Sequence, residues 1–363
     1  MGGPSGLHIR RTSTDIESEE KDWISMAATI KDVALVAGCS MKTVSRVINN
    51  EPYVKEDLRT HVQTVIRSLG YAPNISARRL VQNKSFIICI LLYPGFNQEA
   101  SQILSTVMDI THDEDYDILI QPYFPSNKRS RNKLVELIAE HRIDGFVITP
   151  PCDSDSFLID MLVTYKVPLV QINPFDPTPQ IPSISGEDRA GGFQMTEYLI
   201  TLGHREIAYL MGSRNMRSSF DRLEGYKAAL QAHHLPFEPS LVENSENNFD
   251  GGYTACKLLL QRNAGVTAVF AGNDEAAYGV IFALQEMGIP VPRHISVCGY
   301  EDLAQSKKIW PGLTTIHQPA DDMIAQATHM LISILKGNPP QKQQILIPSR
   351  LVPRGSTGPV RLS

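Results

Sequence analysis

Residues 29–49 read TIKDVALVAGCSMKTVSRVIN, and the punctuation of this stretch decides the fold of the N-terminal part. Thr29-Ile-Lys-Asp32 has the form of a capping box, which predicts a short helix through Ala37 with Ile30, Val33, Ala34 and Ala37 on its apolar face. Gly38 stops it. After the turn Gly38-Cys39-Ser40, Ser40 caps a second helix, Met41 to Asn49, which buries Val44, Val47 and Ile48 and turns Met41, Lys42, Ser45 and Arg46 outward. A third helix is predicted from Lys55 to Leu69, with Leu58, Val62, Val65, Ile66 and Leu69 on one stripe and Gly70 as its stop. Two short helices at a tight glycine turn, braced by a third, make a helix-turn-helix module.

Working outward, residues 1–27 have no helical or strand period and are expected to be a disordered extension. On the other side, Tyr71-Ala-Pro-Asn74 breaks the helical pattern, and Ile75 to Val81 could add one short helix. It falls well below the ~12–15 residues needed for marginal stability alone, so it should order only against a partner.

Charge separates the same segments. The chain carries a net charge of -5 over 363 residues, but residues 28–84 hold 9 basic and 4 acidic side chains, whereas residues 85–363 hold 22 and 30. A basic module on an acidic body points to nucleic acid as the partner of the basic part alone.

From Phe86 onward, short apolar runs alternate with helical segments: Phe86–Tyr93, Asp117–Tyr123, Gly145–Thr149, Pro168–Ile172, Ile207–Met211, Ala268–Ala271 and Ile295–Gly299. This alternation predicts an α/β, doubly wound body with parallel sheets covered on both faces. The strands are too many for one modest sheet, and the polar stretch from Asp176 to Glu187 reads as a crossing between two lobes. Ligands in such folds sit at the carboxyl ends of the strands, here between the lobes. The predicted organisation is an extension over 1–27, a DNA-binding domain over 28–73, a hinge helix and linker over 74–84, and a body over 85–358. Within the body, lobe 1 takes about 85–184 and 318–340, and lobe 2 about 185–317 and 341–358.

Five scattered cysteines without a C-x-x-C pair indicate neither a disulfide framework nor a zinc site. No apolar run reaches the ~18–20 residues of a membrane span, and the first 25 residues lack the apolar stretch of a signal peptide. A cytoplasmic protein with no membrane partner is expected. No G-x-S-x-G, P-loop or H-E-x-x-H is present, so no catalytic residue, metal ligand or cofactor is assigned. His233-His234 stands apart from other ligand types. Leu351-Val-Pro-Arg-Gly-Ser356 has the form of a protease-cleavage tag but is read as natural sequence.

Thr29-Ile-Lys-Asp-Val-Ala34, Ser45-Arg-Val-Ile-Asn49, Tyr71-Ala-Pro-Asn74 and Ala77-Arg-Arg-Leu80 resemble the head and hinge of the lactose-repressor (LacI/GalR) family. The likeness continues in Gly203-His204, Arg222-Leu-Glu-Gly-Tyr226, Gly272-Asn-Asp274, Val297-Cys-Gly-Tyr-Glu-Asp302 and Leu313-Thr-Thr-Ile-His-Gln-Pro319, and covers roughly residues 28–358. The resemblance implies a dimeric transcription regulator whose body is like a type I periplasmic sugar-binding protein.

In a helix-turn-helix, the recognition helix presents its first turns to base edges, which makes Met41, Lys42 and Arg46 the exposed candidates. Arg46 can bond a guanine in bidentate fashion. By resemblance, Thr29, Ile30, Asn49 and Tyr53 also face DNA, with Thr43 and Ser45 on phosphates. The same resemblance implies that Leu80 wedges into the minor groove, flanked by Ala77 and Asn74, and kinks the duplex. For the effector, the matching positions are Tyr93, Asn173, Phe175, Arg222, Phe249, Asn273, Glu301 and Asp302. Several of these have a purely structural alternative: Arg222 could hold a lobe together, Asp274 could cap a helix, and Phe175 or Phe249 could be core.

Two departures stand out against the family pattern. Phe220 replaces an arginine that many members use to grip ligand, and suits stacking on a sugar face or closing a pocket. Glu301 replaces the usual aspartate, lengthening the reach by one methylene. The expected function is a repressor whose binding to double-stranded, pseudo-palindromic operator DNA is controlled by a saccharide effector, working as a homodimer. The alternative is a sugar-binding or transport component without gene control.

Overall fold

The computed structural model describes residues 28–48, 51–71, 84–94, 97–140, 142–263 and 265–360. It divides into two compact units, residues 1–84 and 85–363. The expected extension over 1–27 and hinge helix over 75–81 lie outside the described residues.

In the first unit, α1 (Ile30–Val36), α2 (Met41–Ile48) and α3 (Glu56–Ser68) enclose Val33, Val44, Val47, Val62 and Val65. The capping box is formed: the Thr29 N–H donates to Asp32 Oδ2 at 2.8 Å and the Asp32 N–H to Thr29 Oγ1 at 3.4 Å. These bonds hold the Asp32 carboxyl below its ordinary range, with the Thr29 side chain the largest cause. Gly38 and Gly70 take φ of +62° and +59° just past α1 and α3, a region that favours glycine. Ser40 caps α2 by accepting the Thr43 N–H at 3.1 Å.

The second unit holds two six-stranded sheets. The first uses β1 (Ile87–Leu92), β2 (Asp117–Pro122), β3 (Gly145–Ile148), β4 (Leu169–Ile172), β5 (Ser183–Gly186) and β11 (Gln344–Ile347), in the order β11-β5-β4-β3-β1-β2 and parallel throughout. The second uses β6 (Ile207–Met211), β7 (Val242–Asn244), β8 (Ala268–Ala271), β9 (Ser296–Glu301), β10 (Thr314–His317) and β12 (Arg350–Val352) in the order β12-β10-β9-β8-β6-β7. Here β12 runs antiparallel to β10 and the rest are parallel. Both sheets are doubly wound, because the strand order reverses beside their first strands, β1 and β6.

Helices cover both faces of each sheet. The first lobe carries α4 (Asn97–Asp113), α5 (Lys128–Ala139), α6 (Ser156–Thr164) and α11 (Ala320–Leu335), which enclose separate cores on its two sides. The second lobe carries α7 (Asp188–Thr201), α8 (Arg217–Ala232), α9 (Phe249–Arg262) and α10 (Asp274–Glu286), likewise with a core on each side. All seven apolar runs of the sequence become strands. The chain passes between lobes after β5, after β10 and after β11.

The last passage corrects the sequence reading, which put 341–358 wholly in lobe 2. Residues 344–347 pair in parallel with β5, Ile345 opposite Ile184 and Ile347 opposite Gly186, so β11 completes the first sheet. The C-terminal stretch resembling a tag is integral to the second lobe. Ser356 is fully buried, accepts the Thr314 N–H at 2.8 Å and donates to the Val297 carbonyl at 2.6 Å.

Candidate functional sites in the head and the cleft

In the head, burial of Val44 and Val47 fixes how α2 is turned. Met41 is 47% exposed, Lys42 is exposed and Tyr53 is 86% exposed. Arg46 is half-exposed and its Nε lies 3.4 Å from Glu51 Oε2. Thr43 and Ser45 are half-buried, and the Thr43 hydroxyl sits 2.9 Å from Ser40 Oγ. Thr29 has its hydroxyl engaged in the cap, and Ile30 packs on the edge of the head core. Asn49, Asn74, Ala77 and Leu80 lie outside the described residues.

In the body, β4 and β9 end in backbone that non-glycine residues rarely adopt. Asn173, Glu301 and Asp302 have φ of +45°, +115° and +64°. Such conformations cost ~1–3 kcal/mol each and persist only where the surroundings fix them. Asn173 is fixed by its own amide, whose Oδ1 accepts the Gly186 N–H at 2.9 Å. These strand ends open on a cavity of about 80 Å³ between the lobes. Leu92, Ile172, Met323 and Ile324 supply its apolar wall from the first lobe, with Thr149 and Asn173 beside them. Met216, Ser218, Arg222, Asn247 and Glu301 face them from the second, and Gln318 enters from the second crossing.

Arg222 is the best-anchored of these side chains. Its Nε donates to Asp188 Oδ1 at 2.8 Å, one terminal nitrogen donates to the Gly272 carbonyl at 2.7 Å, and the other reaches Gln318 Oε1 at 3.3 Å. The guanidinium also lies 3.7 Å over the Tyr300 ring. Burial opposes its charge, but Asp188, Tyr300 and Glu301 outweigh that and raise its pKa further.

The remaining predicted effector residues divide. Phe175 and Phe220 meet edge-on with centroids 6.3 Å apart, joining one lobe to the other, each two residues beyond a lining residue, Asn173 and Ser218. Tyr93 packs against Phe124 at 5.8 Å and does not line the cavity. Neither do Phe249, Asn273 or Asp302. Phe249 lies against Phe282. Asn273, not Asp274, caps α10: its Oδ1 accepts the Ala276 N–H at 3.0 Å, and its Nδ2 donates to the Asn247 carbonyl at 3.1 Å. Asp302 is paired with Arg354, and His317 Nδ1 lies 3.3 Å from its Oδ2.

Sequence reasoning missed Met216, Ser218, Asn247 and Gln318 among the lining residues, and Asp188 and Asp153 behind them. Gln318 stands inside the family-like run Leu313–Pro319, which was its available signal. Asp153 is buried, accepts the Phe175 N–H through Oδ2, and has no partner for Oδ1 among the described residues. Burial pushes its carboxyl up to about 6.

Residues 29–74 match the model for bacterial regulatory proteins of the lacI family, and residues 196–357 match that for a periplasmic binding protein-like domain. The ribose operon repressor of Escherichia coli (strain K12) is 32% identical over 331 residues, covering 91% of this chain and 99% of that protein. The chain belongs to the lacI family of bacterial regulatory proteins. Among solved structures, the lac repressor dimer bound to operator and the anti-inducer ONPF is similar at 28% identity and a TM-score of 0.75, covering 92% of this chain and 99% of the other. The transcriptional regulator CelR in complex with cellobiose is similar at 27% identity and a TM-score of 0.70, covering 91% and 99%. Among the described residues, no helix is long and apolar enough to cross a membrane and no cluster could hold a metal ion.

Proposed function

We propose that this lacI-family protein is a transcriptional repressor, dimeric on a pseudo-palindromic operator, whose DNA affinity is set by a saccharide bound between the lobes of its body. The observation that carries this reading is the presence in one chain of a helix-turn-helix head and a two-lobed body with a cavity at the strand ends that is lined by both polar and apolar side chains. Met41, Lys42 and Arg46 read base edges, with Tyr53 and Ile30 alongside, while Thr29, Thr43 and Ser45 lie toward phosphates. Roles for Asn49, Asn74, Ala77 and Leu80 rest on the sequence resemblance. Asn173, Arg222 and Glu301 contact the effector, and Phe175 with Phe220 closes over it. Asn273 acts through Asn247 and Asp302 through the strand end, so both position rather than touch. Tyr93 and Phe249 support the lobes' apolar packing.

A homodimer follows from the short recognition surface, since two-fold pairing doubles the contacts and matches a palindrome. The family's relatives are repressors, which disfavours a transport component. Selecting duplexes from a random pool with the purified full chain tests the reading. Enrichment of a pseudo-palindrome whose affinity changes on adding a saccharide supports it, and failure to enrich any sequence contradicts it.

A further inference from the structure

Asp153 sits on a one-turn 3-10 helix, Cys152–Ser154, just after the lining residues Thr149 and Pro150. The turn is pinned through Asp155, whose carboxylate accepts from Arg131 Nε at 2.9 Å and one of its terminal nitrogens at 2.6 Å, from the Tyr123 hydroxyl at 2.6 Å and from the Ser126 N–H at 2.9 Å. Asp153 is placed differently. It is 8% exposed, its Oδ2 accepts the Phe175 N–H, and its Oδ1 has no partner among the described residues. A carboxylate buried with so few partners costs stability, and an amide would accept the same N–H at lower cost. What the acid adds is strength, because a hydrogen bond to an ionised acceptor is roughly twice as strong as a neutral one.

That bond holds the loop after β4. Asn173 ties the loop to β5, its Oδ1 accepting the Gly186 N–H at 2.9 Å, the Pro174 ring fixes the next φ, and Asp153 ties the Phe175 N–H. The Phe175 ring is thereby delivered edge-on to Phe220 of the other lobe, 6.3 Å between centroids. Asp153 itself does not line the cavity. We infer that Asp153 is a positioning residue for the effector: it holds the Phe175 ring against Phe220 before the sugar arrives, so that binding does not have to order the loop. This rests on the effector reading above, in which Phe175 closes over the sugar.

The test is calorimetric titration of the full-length protein at neutral pH with D-ribose, D-glucose, D-galactose, cellobiose and their phosphate and uronate forms, followed by titration of variants with the tightest binder. Asp153→Ala should weaken binding roughly three- to tenfold, the scale of one hydrogen bond. Asp153→Asn, which keeps an acceptor, should recover part of that loss while melting above the wild type, so that affinity and stability move in opposite directions. In a Phe175→Ala background, Asp153→Ala should cost less than about twofold, because no ring is left to position. Asp153→Leu fills similar space without an acceptor and serves if Asp153→Ala does not fold. Wild-type affinity in Asp153→Ala, or an undiminished loss in the Phe175→Ala background, overturns the inference and leaves the effector reading standing. If no sugar of the panel binds the wild type, both are overturned.

Discussion

Arg222 Nε and Asp188 Oδ1 are 2.8 Å apart in a buried ion pair, each residue 4% exposed, at the first residue of α7, where the chain has just crossed between lobes. The same guanidinium holds the end of β8 through Gly272 and the second crossing through Gln318. One side chain thus ties together two of the three crossings and faces the cavity. Removing either partner leaves an uncompensated buried charge, so Arg222→Ala or Asp188→Ala should destabilise the body by about 3–5 kcal/mol in urea denaturation. Arg222→Lys keeps the charge but cannot serve three acceptors in a fork, and should recover only part of the loss.

Base reading by α2 gives the second prediction. Arg46→Ala should weaken operator binding by about 1–3 kcal/mol and relax preference at one base position, with a smaller effect on random DNA. Glu51→Gln releases Arg46 from an exposed ion pair worth at most about 1 kcal/mol, so operator affinity should rise slightly or stay level. Fluorescence anisotropy at fixed salt reads both.

Thr29 carries the α1 cap, so Thr29→Ala should destabilise the head by about 1 kcal/mol, measured by head-specific hydrogen exchange. Asp32, held below its ordinary range by the same motif, contributes stability above its unfolded pKa that is lost as pH falls.

Asp153 behaves in the opposite sense. Burial raises its carboxyl from 3.8 to about 6, so the folded chain keeps a proton that the unfolded chain has released. Its contribution to stability should therefore decline as pH rises from about 4 to 6. The difference between wild type and Asp153→Asn should move by roughly 2–3 kcal/mol across that window, in favour of the variant at higher pH. A flat difference between pH 4 and 7 would refute the buried, proton-retaining carboxyl.

Phe220 and Phe175 meet across the lobes, and neither is fully buried. Phe220→Ala should cost ~1 kcal/mol or more in saccharide affinity with little change in urea stability, since it removes an aromatic contact at the cavity and little core.

Much of the head was legible because its signals are local: Thr29 and Asp32 form their box within one turn, and Gly38 and Gly70 mark stops that need positive φ. Seven strands were legible as apolar runs, six of them buried and β2 half-buried. Strands β5, β7, β10, β11 and β12 are three or four residues long and carry Ser, Glu, Asn, Thr, Gln or Arg, so they have too little period to read. Their pairing comes from neighbours remote in sequence, as Gln344 opposite Ser183 shows. The cleft was legible in part for the same reason. Asn273 looks like a ligand by type, yet its amide is consumed by a cap and by Asn247. Gln318 reaches the cavity only because the second crossing brings it there, and Asn247 only because the loop between β7 and α9 ends beside it.

The central claim is that a saccharide in the cleft alters how tightly the head holds its operator. The most direct measurement is operator affinity of the full-length protein, on a duplex selected from a random pool, across a salt series with and without a saturating saccharide. The account predicts a steep salt dependence from the basic head and a shift in operator affinity of about 1–3 kcal/mol on adding the sugar. Saturated binding of the sugar with superimposable salt curves would contradict it.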